Sequence, residues 1–285
     1  MPVVDVLDST MYHEETGEGA PVVFLHGNPA SSHLWREVLP VFGSPGRLLA
    51  PDLVGMGRSG KPDGAYRFAD HARYLDAWFD ALGLDRVVLV GHDWGGTLAF
   101  DLAARHPGRV RGIAFMETIV RPMSRAELSA PARERFETLR TPEGGQGALS
   151  RNDLVDAAFT RGVLSPLDEE EIAPYRAPYP DPDSRRPLLA WARSLPLDGE
   201  PADVAERLDG YRDWLATSDD VPKLLLTFDS SPTLLITEDM AAWCATHMAA
   251  LEREHCGPAG HHAPEDRPEA IGAAVASWAD RHGLR

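Results

Sequence analysis

The chain has 285 residues, 43% of them hydrophobic and 25% charged. This is the ordinary globular mix and excludes a disordered or fibrous polypeptide. Lys and Arg number 28 against 44 Asp and Glu, a net charge of −16, which repels a phosphate backbone and an anionic membrane surface, so small molecules rather than nucleic acid or membrane are the expected partners. Two cysteines (Cys244 and Cys256), no basic-then-apolar leader and no apolar run approaching about 18 residues fit a protein of the reducing cytoplasm.

The first half alternates strands with helices. Pro21-Val22-Val23-Phe24-Leu25-His26 is a short apolar run closed by Gly27, and Arg47-Leu48-Leu49-Ala50-Pro51-Asp52 is another, closed by the Gly55-Met56-Gly57 loop. Tyr74, Leu75, Trp78, Phe79 and Leu82 recur at helical spacing over 70–82, and Gly83 ends that helix. Arg86-Val87-Val88-Leu89-Val90 reads as the best strand, bounded by Gly91; a helix over 96–105 and a strand over 110–116 follow. Near-continuous apolar strands separated by helices predict a doubly wound, mostly parallel sheet buried on both faces. From 118 to 203 no strand is predicted. Helical pieces are separated by prolines there, with a helix start at Ser165-Pro166-Leu167-Asp168 and a loop-rich stretch over 173–187, which holds five prolines. Val204, Leu208, Tyr211, Trp214 and Leu215 mark an amphipathic helix, Lys223-Leu224-Leu225-Leu226-Thr227 resumes strand character, and a last helix spans 268–281.

Chemistry concentrates at Gly91-His92-Asp93-Trp94-Gly95-Gly96, between a predicted strand and a predicted helix. That is the setting of a nucleophile elbow, whose sharp turn exposes one side chain at the carboxyl edge of the sheet. The exposed residue is Asp93 rather than serine. A carboxylate attacks a saturated carbon, displaces a leaving group and leaves an alkyl ester on the protein, which water must then hydrolyse. The tetrahedral intermediate of that hydrolysis needs N–H donors, available at Trp94 and, from the loop His26-Gly27-Asn28-Pro29, at Asn28. The water needs a base. His261 in Gly257-Pro258-Ala259-Gly260-His261-His262 is preferred over His262, and an acid to orient it is available at Glu117, with Asp229 as the other position such an acid can take.

His26-Gly27-Asn28-Pro29, His92-Asp93-Trp94-Gly95 and Phe115-Met116-Glu117 resemble the haloalkane dehalogenases, specifically the subfamily with an Asn–Trp halide site and a glutamate after the sixth strand. Ser165-Pro166-Leu167, Arg185-Arg186-Pro187, Pro222-Lys223-Leu224 and Glu265-Asp266 share that texture, so the resemblance spans nearly the whole chain. It implies an α/β-hydrolase fold, with residues 1–117 and 204–285 as the core and a helical cap over 118–203 inserted after the sixth strand. It further implies Asp93 as nucleophile, His261 as general base, Glu117 as its orienting acid, and Asn28 and Trp94 as halide donors. Phe159, Trp191 and Leu195 become candidates for the pocket wall. No cofactor or metal is expected; the partners are a small halogenated hydrocarbon, halide and water, and the chain is a monomer or small homo-oligomer.

Three departures stand out: Gly96 after the elbow, Gly260 where leucine usually precedes the histidine, and a short stretch over 161–167. The nearest rival, an epoxide hydrolase, would share Asp93 and His261 but needs cap tyrosines as acids, for which Tyr175, Tyr179 and Tyr211 are available. A haloacetate dehalogenase would want an arginine where Trp94 stands. A coelenterazine-type luciferase or a non-catalytic homologue would keep the same residues with different or no turnover.

Overall fold

Within residues 3–229 and 233–285, which the computed structural model describes, the apolar runs become neighbouring strands of one sheet. The strands are β1 (Val3–Val6), β2 (Ser9–Thr16), β3 (Pro21–Leu25), β4 (Arg47–Pro51), β5 (Val87–His92), β6 (Val110–Met116), β7 (Lys223–Asp229) and β8 (Leu251–Pro258). Their spatial order is β1-β2-β4-β3-β5-β6-β7-β8, antiparallel from β1 through β4 and parallel from there to β8. β3 and β5 are central, which explains their composition: Val22 to Leu25 and Val87 to Val90 are fully buried, each side chain contributing roughly 1.5–3 kcal/mol.

Three strands escape the sequence reading, for one reason. β1, β2 and β8 lie at or near the sheet edges, where one face meets water and charge is tolerated. β2 buries Met11 and His13 and exposes Glu14 and Glu15; β8 carries Glu252, Arg253 and Glu254.

The helices are α1 (Val38–Phe42), α2 (Phe68–Ala81), α3 (Trp94–Arg105), α4 (Ala130–Arg140), α5 (Pro142–Ser150), α6 (Asp153–Arg161), α7 (Glu169–Arg176), α8 (Arg186–Ser194), α9 (Ala202–Gly210), α10 (Arg212–Thr217), α11 (Glu238–His247), α12 (Ala263–Asp266) and α13 (Pro268–Arg281). None among the described residues is long and apolar enough to cross a membrane. The prolines over 173–187 limit helices rather than exclude them: Pro174 stands near the end of α7 and Pro187 in the first turn of α8, where its missing N–H has no partner to lose. The amphipathic stretch around Tyr211 is two helices, α9 and α10, meeting at that residue.

Between β6 and β7 the chain leaves the sheet. α4 packs on α5 and α8, and α6 on α7, so these helices bury their apolar faces mainly on one another. α9 and α10 return to α3 of the core. Arg207 of α9 reaches Asp101 of α3, with Nη2 donating to Oδ2 at 3.0 Å. The carboxyl edge of the parallel strands therefore lies beneath the inserted helices, which is where an open α/β sheet places its ligand.

Candidate active site

β5 runs into α3 through Asp93, whose backbone has φ 52° and ψ −128°. A non-glycine residue in this region is strained, and strain of about 1–3 kcal/mol persists only where the surroundings enforce it. Gly91 shows how they do so: a Cβ there would lie 2.4 Å from the Gly96 Cα, so only glycine lets strand and helix approach this closely. The turn pushes the Asp93 side chain out of the sheet edge.

Both Asp93 carboxylate oxygens are engaged. Oδ1 accepts the backbone N–H of Asn28 at 2.8 Å, and Oδ2 lies 3.5 Å from His261 Nε2. On the far side of the imidazole, Nδ1 is 3.2 Å from Glu117 Oε2. Glu117 follows β6 with φ 47° and is buried, its oxygens accepting the backbone N–H groups of Leu235 at 2.7 Å and Ile236 at 3.2 Å. With Glu117 accepting only, Nδ1 is the donor, and Nε2 is the atom whose protonation changes opposite Asp93.

Electrostatics follow from this line of three. Burial pushes the Asp93 carboxyl up, but the hydrogen bond and charge of His261 outweigh it and hold Asp93 below the usual aspartate range. Burial pushes His261 down, but its contacts with Asp93 and Glu117 outweigh that and raise it to about 9. In the resting protein the pair is thus carboxylate and imidazolium. Histidine NMR is expected to show His261 titrating near pH 9 in the intact protein and at lower pH in Asp93→Ala, where one of the two anions holding its proton is gone while burial remains. An unchanged midpoint would refute the pairing.

Two neighbouring histidines have different tasks. His92, held down to about 3 by burial and then by the His261 charge, is neutral; its Nε2 donates to the His261 backbone carbonyl at 2.7 Å and so anchors the loop. His262 is buried, donates its backbone N–H to the Gly162 carbonyl at 2.7 Å, and stacks on Phe159 with ring centres 4.7 Å apart. It makes no contact with Asp93 comparable to that of His261. Ring nitrogens of His92, His261 and His262 come within 4.8 Å of one another, the one grouping among the described residues with metal-ligand composition. The hydrogen bonds above already engage His92 and His261. Asp229 ends β7 exposed, with His255 Nε2 3.1 Å from its Oδ1, and does not reach His261.

A cavity of about 970 Å³ opens over this line, and Asn28, Trp94, Trp191, Leu195 and His261 contribute to its wall with Asp93 at its floor. Depressions of about 890 and 930 Å³ elsewhere on the surface include none of the three residues of the line, so chemistry rather than size identifies the site. Trp94 stacks on Trp191 at 4.7 Å, and Trp191 stacks on the buried His71 at 4.1 Å, so a layered aromatic group sets the Trp94 indole. Asn28 donates from Nδ2 to the Leu188 carbonyl of α8 at 3.1 Å, which fixes its amide and leaves a second N–H. Phe159, a candidate for the wall, is not part of it. The ring is fully buried behind, stacked on Tyr175 at 3.8 Å and on His262.

The tyrosines that ring opening of an epoxide would need are elsewhere. Tyr175 donates to Glu265, and Tyr211 to the Val120 carbonyl at 3.1 Å; neither they nor Tyr179 line the cavity.

Gly260 has a structural reason. A Cβ there would lie 2.5 Å from the Gly162 carbonyl oxygen and 2.9 Å from the Val163 Cα, backbone atoms that cannot give way. The short stretch after α6 therefore sits directly on the loop before His261. Gly260→Ala is expected to destabilise the protein by about 1–3 kcal/mol, read as a lowered Tm; no change would mean the two segments separate readily.

A family model described as the alpha/beta hydrolase fold matches residues 20–152. Over 288 residues the chain is 46% identical to a haloalkane dehalogenase of Bradyrhizobium diazoefficiens, covering 96% of this chain and 92% of that one. It is 42% identical to a haloalkane dehalogenase of Agrobacterium fabrum, over 94% and 87% of the two chains. Among solved structures, the haloalkane dehalogenase DbeA from Bradyrhizobium elkani superposes with a TM-score of 0.94 at 46% identity, over 99% and 97% of the two chains. A putative ancestral haloalkane dehalogenase superposes with a TM-score of 0.95 at 46% identity over the full length of both.

Proposed function

Since this chain belongs to the haloalkane dehalogenases, hydrolases of the α/β fold that act on carbon–halogen bonds, we propose the following division of labour among its residues. Asp93 Oδ2 attacks the carbon bearing the halogen, and the halide leaves with the bonding electron pair. Trp94 and Asn28 receive that halide through neutral N–H donors, which stabilise it without holding it as tightly as a cation would. The product is an ester on Asp93.

Esterification changes His261. The Asp93 charge disappears, burial and Glu117 remain, and the imidazole loses its proton more readily. The neutral Nε2 then takes a proton from water, which attacks the Asp93 carboxyl carbon. The developing oxyanion is on Oδ1, already facing the Asn28 backbone N–H. Collapse releases alcohol and restores the carboxylate. The helices over 118–203 serve as a cap that keeps bulk water from the displacement step.

One observation carries this reading: Asp93, His261 and Glu117 form a continuous line, with Oδ2 turned to the base and Oδ1 to a backbone donor. The test is bromide release from 1-bromobutane and 1,2-dibromoethane, with styrene oxide consumption alongside. Bromide without epoxide opening is expected. Epoxide opening without bromide would overturn the assignment.

A further inference from the structure

The inserted helices present an anomaly on the cavity wall. From α4, Ala132, Arg135, Phe136 and Leu139 face the cavity at i, i+3, i+4 and i+7, with Pro131 of the first turn beside them. From α6 they are Leu154, Ala157, Ala158 and Arg161, at the same spacing. A helix face turned inward normally fills such a stripe with apolar side chains. Each stripe here carries one arginine instead, Arg135 half-buried and Arg161 exposed.

Neither arginine is neutralised. Among the described residues no carboxylate lies within 4.0 Å of Arg135 or Arg161, and neither guanidinium makes a hydrogen bond, in a chain with an excess of acids. Burial and then the Arg161 charge press Arg135 below the usual guanidinium range, so the two cations sense each other with no anion between them. The acids of the same wall are engaged or exposed: Asp93 faces His261, Glu127 is bonded to Arg121 at 2.6 Å, and Asp239 lies in water at the start of α11. The part of the wall formed by Arg135 and Arg161 therefore carries positive charge with no paired acid, while the molecule as a whole repels anions.

We propose that the cavity takes haloalkanes that end in a carboxylate, the ω-halocarboxylates, with the carbon–halogen end at Asp93 and the carboxylate at Arg135 and Arg161. The proposal rests on the dehalogenase reading of Asp93. A guanidinium offers two parallel N–H groups, which match the two oxygens of a carboxylate and not a spherical halide. The halide already has neutral donors at Asn28 and Trp94. The polymethylene spacer keeps the substrate carboxylate away from the Asp93 charge, unlike a haloacetate, which would need its cation where Trp94 stands. The chemistry balances as before: the carbon–halogen bond breaks with its electrons on halide, the carbon–Oδ2 bond forms, and water returns an ω-hydroxycarboxylate and a proton.

The experiment compares bromide release from 6-bromohexanoate and 1-bromohexane in the unaltered protein, Arg135→Gln and Arg161→Gln. The unaltered protein is expected to process the carboxylate with a kcat/KM at least equal to that of the neutral substrate. Arg135→Gln is expected to lower the ratio of the two about tenfold, the effect of losing one charge-assisted contact. Raising sodium sulfate should lower the same ratio without any substitution, which keeps the test available if a variant does not fold. An unchanged ratio in both variants and in salt overturns the proposal. So does an equal fall on both substrates accompanied by altered chloride inhibition, which would assign the arginines to halide exit. Failure on 1-bromohexane itself would fell the dehalogenase reading, and this proposal with it.

Discussion

Asp93→Ala is expected to abolish halide release, lowering kcat for 1-bromobutane by at least about 10⁴-fold, as loss of a covalent nucleophile does. The size follows from what is lost. The donors we assign to the halide, Asn28 and Trp94, remain in place, but nothing displaces it. Water cannot substitute for the carboxylate, because the base is arranged for an ester: His261 Nε2 lies 3.5 Å from Oδ2 of the residue removed. Circular dichroism and Tm of the variant separate this from unfolding, since alanine also leaves the His261 imidazole without one of its two anions. Residual bromide release within about a hundredfold of the unaltered protein would mean that another group attacks carbon, an effect too small for loss of a nucleophile.

His261→Gln should split the reaction in two. Displacement needs no base, so one equivalent of bromide is expected per protein at close to the normal rate. Hydrolysis then slows by about 10²–10⁴-fold, the usual contribution of general-base catalysis. The stalled species is a covalent ester, and its mass should exceed that of the free protein by the alkyl group less one proton. Peptide mapping should place the addition on Asp93. A variant that releases bromide catalytically would remove His261 from the hydrolytic step. One that releases none would make it essential to displacement as well.

That Asp93, His261 and Glu117 meet at one sheet edge was legible because Asp93 and Glu117 sit where central strands end and the backbone must turn, and His261 follows the Gly257-Pro258-Ala259-Gly260 turn late in the chain. The glycines around Asp93 announce a close approach, and Glu117 follows the buried run of β6. Edge strands were less legible, since β8 carries three charged residues in succession, Glu252, Arg253 and Glu254. The error at Phe159 is one of helix rotation. Leu154, Ala157, Ala158 and Arg161 face the cavity, whereas Phe159, one position round, stacks on Tyr175 and His262, and Val155 is buried off the cavity wall. Spacing reveals that a stripe exists but not which neighbour it meets. The layered group of Trp94, Trp191 and His71 was illegible for a related reason: its members come from three distant segments, and only packing of α8 onto the core brings them together.

One carboxylate joins the catalytic loop to the inserted helices. Asp266 accepts the Gly260 N–H on Oδ2 at 2.8 Å and the Leu164 N–H on Oδ1 at 2.9 Å, just beyond the point where Gly162 rests on Gly260. Lifting the segment after α6 would thus pull directly on the residue before His261. A hinged lid at this side would disarm the base each time it opened. The segment after α6 is thereby tied to the loop that carries His261, so neither can shift without the other.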